Sequence, residues 1–347
     1  MADSSRLCSV FLGSETGILK GAFNFCNTQH LSRDQEVRVL VWGDRAETDL
    51  LLGARDGSVK TFSLEKGSFT ETGAVETRKR EALLGWRSWR RGGWCSRCLH
   101  VMVFQVFQVW RESSSDPVAE VITGKNVSRM RQNPAQRNKM ATGGKENGLK
   151  IWDLENPKNP PVFSAKNLKD DWLDLKRAQW VRDIAFIPQS EKVVTCTGYH
   201  QVHIHDPSSP QRRPVMEMEF GDHPLTALSL PTGGTSVVVG NTRGEVAVLD
   251  LRKGLVRGVL KGLCGGVRAL QCHPSLPIVA SCGLDRFLRI HSLEDRKLQH
   301  KVYLKRASPE AHWLRRGSPE AHWLRRASPE AHWLRRGEGS VDVDPPV

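Results

Sequence analysis

The chain has 347 residues, 39% of them apolar and 26% charged, and a formal net charge of +13; this length suits one large β-domain as well as two ordinary domains. The positive balance invites a nucleic-acid reading, but residues 78–97 carry seven Lys/Arg against one Glu and residues 307–336 six Arg against three Glu, so nine of the 13 charges sit in two segments unlike the rest and the body is only mildly basic. Eight cysteines, mostly in apolar alternating runs, favour reduced thiols in a cytosolic or nuclear protein, and the absence of a basic-then-apolar leader or an unbroken apolar run argues against secretion and a membrane span.

In chain order, a polar or Gly-rich turn followed by alternating apolar residues recurs at Glu15–Asn24, Arg55–Leu64, Val103–Glu112, Lys145–Leu154, Gly198–Pro207, Thr242–Leu251 and Leu284–Leu293. Spacings of this size fit one four-stranded propeller blade per unit. Period-2 alternation predicts strands over Val181–Ile187, Lys192–Thr197, Gln201–His205 and Pro214–Phe220. It restarts over Leu225–Leu230, Ser236–Gly240, Glu245–Leu249 and Leu255–Leu260, and again over Val267–Cys272, Ile278–Cys282, Phe287–His291 and Lys301–Lys305. No stretch holds a helical period, so the expected fold is all-β, a seven-bladed WD-repeat β-propeller over residues 1–305.

Two segments break the pattern. Residues 77–98, rich in Trp, Arg, Gly and Cys, stand where the third blade needs its inner strands, and read as an irregular insert. The first unit opens without an innermost strand, which the C-terminus should supply, yet residues 306–347 carry (A/G)SPEAHWLRR three times over, with a Pro in each copy. That tail reads as disordered low-complexity sequence, leaving ring closure in doubt and an exposed edge. Neither segment is assigned a function.

The residues of Ala141–Leu154, Lys166–Phe186, Thr195–Val215 and Ala280–His291, with Glu15–Gly21, closely resemble the WD repeat-containing protein 74 family. The likeness spans Val10–Gly67 and Val118–Lys305, and departs from the family at the third blade's inner strands and at the C-terminus, where the family has a closing strand and a Lys/Arg-rich tail. The resemblance implies a nucleolar, nuclear factor of large (60S) subunit biogenesis and pre-rRNA processing. It further implies pre-60S assembly factors, an AAA-type remodelling ATPase and the exosome-associated RNA helicase as partners, with rRNA nearby. No membrane and no small-molecule substrate are expected.

The search for chemistry turns up little. There is no P-loop, HExxH or GxSxG run, no cofactor is implied, and the expectation is a non-catalytic protein-interaction scaffold. Cys95 and Cys98 have ligand spacing without a second pair, and His203 and His205 share a strand face without a third ligand, so no metal site is assigned. The long connection Asn156–Trp180 is the most informative feature, since long loops in compact domains are functional or disordered. Its Lys166, Asn167, Asp171, Trp172 and Asp174 suit a partner-binding edge, with Trp172 packing the loop onto the blade beneath as the alternative. Lys145, Glu146, Asn147, Tyr199, His200, Asp285 and Arg286 complete the candidate face. Arg212 and Arg213, on a turn, are either phosphate contacts or solvated charges. Direct rRNA binding through basic propeller surface is the competing reading. Trp152 and Asp153 read as structural, the Trp filling space between blades, and Asp56 and Asp285 as carboxylates fixing tight turns.

Overall fold

A computed structural model describes residues 10–14, 18–22, 28–30, 36–42, 48–54, 59–64, 66–71, 85–86, 89–91, 94–96, 98–103, 106–111, 117–170, 173–304 and 310–313. Every regular element among them is a strand, and the strands form seven four-stranded antiparallel sheets and one two-stranded ribbon. The all-β propeller class expected from the repeats holds. Five sheets are each made of four consecutive strands, beginning at Val37, Val127, Val181, Leu225 and Val267, and two are composite. We number the sheets as blades 1 to 7 in chain order.

The apolar runs have a specific destination. In Ser236–Asn241, a middle strand of blade 6, Val237 and Val239 pack against Val194, Cys196, Ile204 and Met218 of blade 5. Val238, between them, packs with Val267, Leu270 and Val279 of blade 7. Alternate side chains therefore feed two different inter-blade cores, which is why this middle strand is buried at every position while the outer strand Val256–Leu260 is largely exposed. Cys196, Cys272 and Cys282 are free thiols buried in these cores, and burial pushes the Cys272 thiol up to about 12.

The closing strand expected to be missing is present. Glu310–Trp313 pairs antiparallel with Val10–Gly13, Trp313 opposite Val10 and Glu310 opposite Gly13, and so completes blade 1 from the first copy of the tail repeat. The Pro of this repeat unit, Pro309, stands before the strand's first residue and so is not one of its four. Its inner-strand neighbours are Val37–Trp42 on one side and Val267–Cys272 on the other, which closes the circle. The remaining tail residues lie outside the described ones. The 77–98 insert also contains strands: Gly85–Trp86 is a two-residue inner strand of blade 3, paired with Leu99 and His100, while Trp89–Arg91 and Trp94–Ser96 form the separate ribbon.

The inner ring carries a repeated device. In blades 2, 4, 5, 6 and 7 the register slips by one residue at the second position of the inner strand, between Val37 and Val39, Val127 and Arg129, Val181 and Asp183, Leu225 and Ala227, and Val267 and Ala269. The bulged residues are Arg38, Ser128, Arg182, Thr226 and Arg268. A bulge re-aims its side chain. Ser128 donates its hydroxyl to the Val181 carbonyl (2.9 Å) and Thr226 donates to that of Val267 (2.7 Å), each stitching its blade to the next. The same seam requires glycine: a Cβ on Gly13, Gly143 or Gly240 would stand 2.5, 2.8 and 2.8 Å from Cγ1 of Val37, Val181 and Val267.

Candidate interaction face

Antiparallel order places the turn between the second and third strands at the same end of each blade as the link into its inner strand. Backbone bonds tie the two together: Lys145 N–H donates to Asn126 (3.0 Å), Gly198 to Trp180 (2.8 Å), Thr242 to Pro224 (3.0 Å) and Leu284 to Gly266 (3.0 Å). At the tips of these turns Glu146, His200 and Arg286 adopt left-handed backbone (φ 57°, 53° and 63°), matching Gly244 at 102°. Lys145, Glu146, Asn147, Tyr199, His200, Asp285 and Arg286 meet at this one end.

Lys145 and Glu146 are exposed. Asn147 is buried, donating its amide to the carbonyls of Thr123 (3.2 Å) and Lys125 (2.9 Å), so it holds the neighbouring turn instead of facing solvent. Asp285 is likewise occupied: its carboxylate accepts from the N–H of Cys264 (3.2 Å) and Phe287 (3.3 Å) and pairs with Arg289 at 2.5 Å, a guanidinium only 2% exposed. Arg286 is exposed and lies 5.7 Å over the Tyr303 ring. Asp56 lies outside the described residues. Trp152 is buried with its indole N–H donating to Thr142 Oγ1 (2.9 Å), and Asp153 accepts from the Glu155 N–H (3.0 Å).

The long connection is anchored at its base. Lys166 N–H donates to the Arg212 carbonyl (3.0 Å), Arg213 Nε to the Asn167 carbonyl (3.2 Å), and Arg177 pairs with Glu217 at 3.4 Å. The Asn167 amide reaches across to the Arg177 carbonyl, pinching the loop. Arg212 and Arg213 thus join Lys166 and Asn167 at the rim, on a turn at the opposite end of its hairpin from Tyr199 and His200. Beyond the pinch Leu173 and Leu175 are 55% and 59% exposed around Asp174, whose φ is 56°. Asp171 and Trp172 lie outside the described residues.

Trp180 and the inner-strand arginines were not singled out by sequence. Lys145 Nζ and the Arg182 guanidinium stand 5.6 and 4.8 Å from the Trp180 ring, and the exposed Tyr199 meets it edge-on at 6.4 Å. Such contacts fix a cation at modest cost. Arg129 and Arg131 approach the buried Asp183 carboxylate at 3.9 and 3.1 Å. The available signal was an aligned one, an aliphatic residue followed by Arg, Ser or Thr at the start of every regular unit.

His203 and His205 sit in the cleft between blades 4 and 5, rings 6.1 Å apart. Burial lowers their pKa values to about 4 and about 3, against an ordinary 6.5. Among the described residues no group of three or more His, Cys, Asp or Glu is placed to hold a metal. Cys95 and Cys98 fall in strands whose side chains are outside the described set.

Comparison with known proteins adds names. The family "WD domain, G-beta repeat" matches residues 255–292, the outer strand of blade 6 and most of blade 7. The chain is 49% identical over 317 residues to WD repeat-containing protein 74 of Bos taurus, covering 88% of this chain and 80% of the relative. It is 49% identical over 313 residues to WD repeat-containing protein 74 of Homo sapiens, with the same two coverages. Ribosome biogenesis protein NSA1 of Meyerozyma guilliermondii is 30% identical over 220 residues, 54% of this chain and 55% of that protein.

Proposed function

Since the chain belongs to the WD repeat-containing protein 74 family, we propose that it acts in ribosome biogenesis, as a non-catalytic scaffold on precursors of the large (60S) subunit in the nucleolus. The relatives named for ribosome biogenesis support the process. One observation supports the mode of action: Lys145, Glu146, Tyr199, His200 and Arg286 lie on one end, and the pinched loop that carries Lys166 and Asp174 and exposes Leu173 and Leu175 runs into that end at Trp180. Apolar residues ringed by charges suit a protein partner, the apolar contact supplying affinity and the charges selectivity. Assembly factors, including an AAA-type remodelling ATPase and an RNA helicase, are the partners we assign to this end. Asn147 and Asp285 are left out, because their side chains are bonded within their own blades.

Direct rRNA binding is the second reading, favoured by the cations on the same end. Affinity purification of the tagged chain, with and without Leu173→Asp and Leu175→Asp, separates the two. The scaffold reading expects assembly factors to be lost with the leucines and no RNA retained after nuclease treatment. Retention of RNA by the purified chain, weakening steeply with salt and indifferent to the leucines, overturns it.

A further inference from the structure

The inner-strand bulges alternate in chemistry from blade 4 onward: Ser128, Arg182, Thr226, Arg268. The two hydroxyls are turned into the seams between blades. The two arginines are not. Arg182 and Arg268 hold the same bulge position at the start of inner strands two blades apart, and the Arg182 guanidinium stands 4.8 Å from the Trp180 ring. Each follows the link into its strand, so this mouth of the channel opens on the end that carries Lys145, Tyr199 and His200.

Charge here is left over. The one buried carboxylate nearby, Asp183, is engaged by Arg131 at 3.1 Å and Arg129 at 3.9 Å, and also accepts from the Leu228 N–H at 3.3 Å. Among the described residues neither Arg182 nor Arg268 has a carboxylate within 4 Å; Arg182 has only the Trp180 ring beneath it, shared with Lys145. Burial, with repulsion from Arg129 and Arg268, lowers the Arg182 pKa. A half-buried cation repelled by its neighbours, as Arg182 is, is costly unless an anion joins it.

We infer that the channel mouth formed by Arg182 and Arg268, with Lys145 beside them on Trp180, is an anion site that receives an acidic side chain from an extended segment of a partner protein. A peptide fits better than RNA. Single-stranded nucleic acid needs a track of cations and open aromatic faces on which bases stack, whereas here Lys145 and Arg182 already cover the Trp180 ring. The inference rests on this end being the docking end.

The test uses the full chain and two probes, a fluorescein-labelled octaglutamate peptide and an octauridylate of the same length, read by anisotropy. Arg268→Gln, Arg182→Gln and the double variant are compared with wild type and with Lys253→Gln, an exposed cation on the turn between the third and fourth strands of blade 6, at the opposite end. We expect the double variant to bind octaglutamate roughly tenfold more weakly or worse, as for losing charge-assisted hydrogen bonds, with Lys253→Gln close to wild type. Melting monitors folding; Arg268 is exposed and has no carboxylate within 4 Å among the described residues, so Arg268→Gln alone remains informative if the double variant is unstable. Equal affinity of wild type and Arg268→Gln for octaglutamate overturns the site, and tighter, arginine-dependent binding of octauridylate overturns the peptide in favour of RNA. Assembly factors still captured by a chain that does not bind octaglutamate would sink this site alone and leave the scaffold reading standing.

Discussion

His203 and His205 read in the sequence as two imidazoles on one strand face, and the face is real but buried. Burial is the largest influence on both; repulsion by Arg177 adds to it at His203 and repulsion by His203 at His205, and together they outweigh Glu217 at 3.7 Å from His203 Nε2. Both are neutral in the folded chain. Because their folded pKa values lie below the ordinary 6.5, the unfolded chain binds more protons once the pH drops beneath that value. Stability is therefore full above about 6.5 and falls as the pH is lowered towards about 4 and about 3. A His203→Gln, His205→Gln variant is expected to show a flatter loss of melting temperature between neutral pH and pH about 4, and an unchanged slope would refute it. Asp285 shows the limit of reading single residues: the sequence offers both a turn-fixing carboxylate and an exposed charge, and only its 2.5 Å contact with buried Arg289 decides between them.

At the scale of elements, blades 5 to 7 are legible because a strand covered on both faces has no choice of composition. The expected Val267–Cys272 matches the strand found, and Gln201–His205 does too, while the last outer strand runs Leu298–Tyr303 instead of Lys301–Lys305 because that edge is largely solvated and no apolar pattern marks it. The seams between blades were not legible. They depend on which glycine meets which valine across a gap of some tens of residues, and a lone sequence does not pair them. Gly240→Ala makes the point measurable: its new methyl would meet Val267 Cβ and Cγ1 at 2.9 and 2.8 Å, and overpacking of this kind costs about 1–3 kcal/mol. Chemical denaturation should find that loss, and a companion Val267→Ala should recover part of it. Full stability of Gly240→Ala alone would mean that the blades slide freely over one another.

For the whole molecule, the strand hardest to see was the one that completes the circle. EAHW has weak strand character of its own, and what makes it a strand is a partner at the other end of the chain, Val10–Gly13; bringing distant segments together adds only slowly growing loop entropy. A chain ended after Arg306 is expected to melt lower by roughly 5 °C and to self-associate. One ended after Arg316 keeps Glu310–Trp313 and should match the full chain by light scattering and melting. Identical behaviour of the two truncations would show that the strand is dispensable.

Pairing of the first described strand with the last has another consequence. Val10 and Trp313 stand opposite each other, as the two residues flanking a hairpin turn do, so a short peptide suffices to splice them. With the backbone reopened in the linker at 261–266, between Leu260 and Val267, the permuted chain would build all seven four-stranded sheets from consecutive strands of each repeat, except for the ribbon set inside blade 3. The ring's architecture is thus indifferent to which blade's strands come first in the chain.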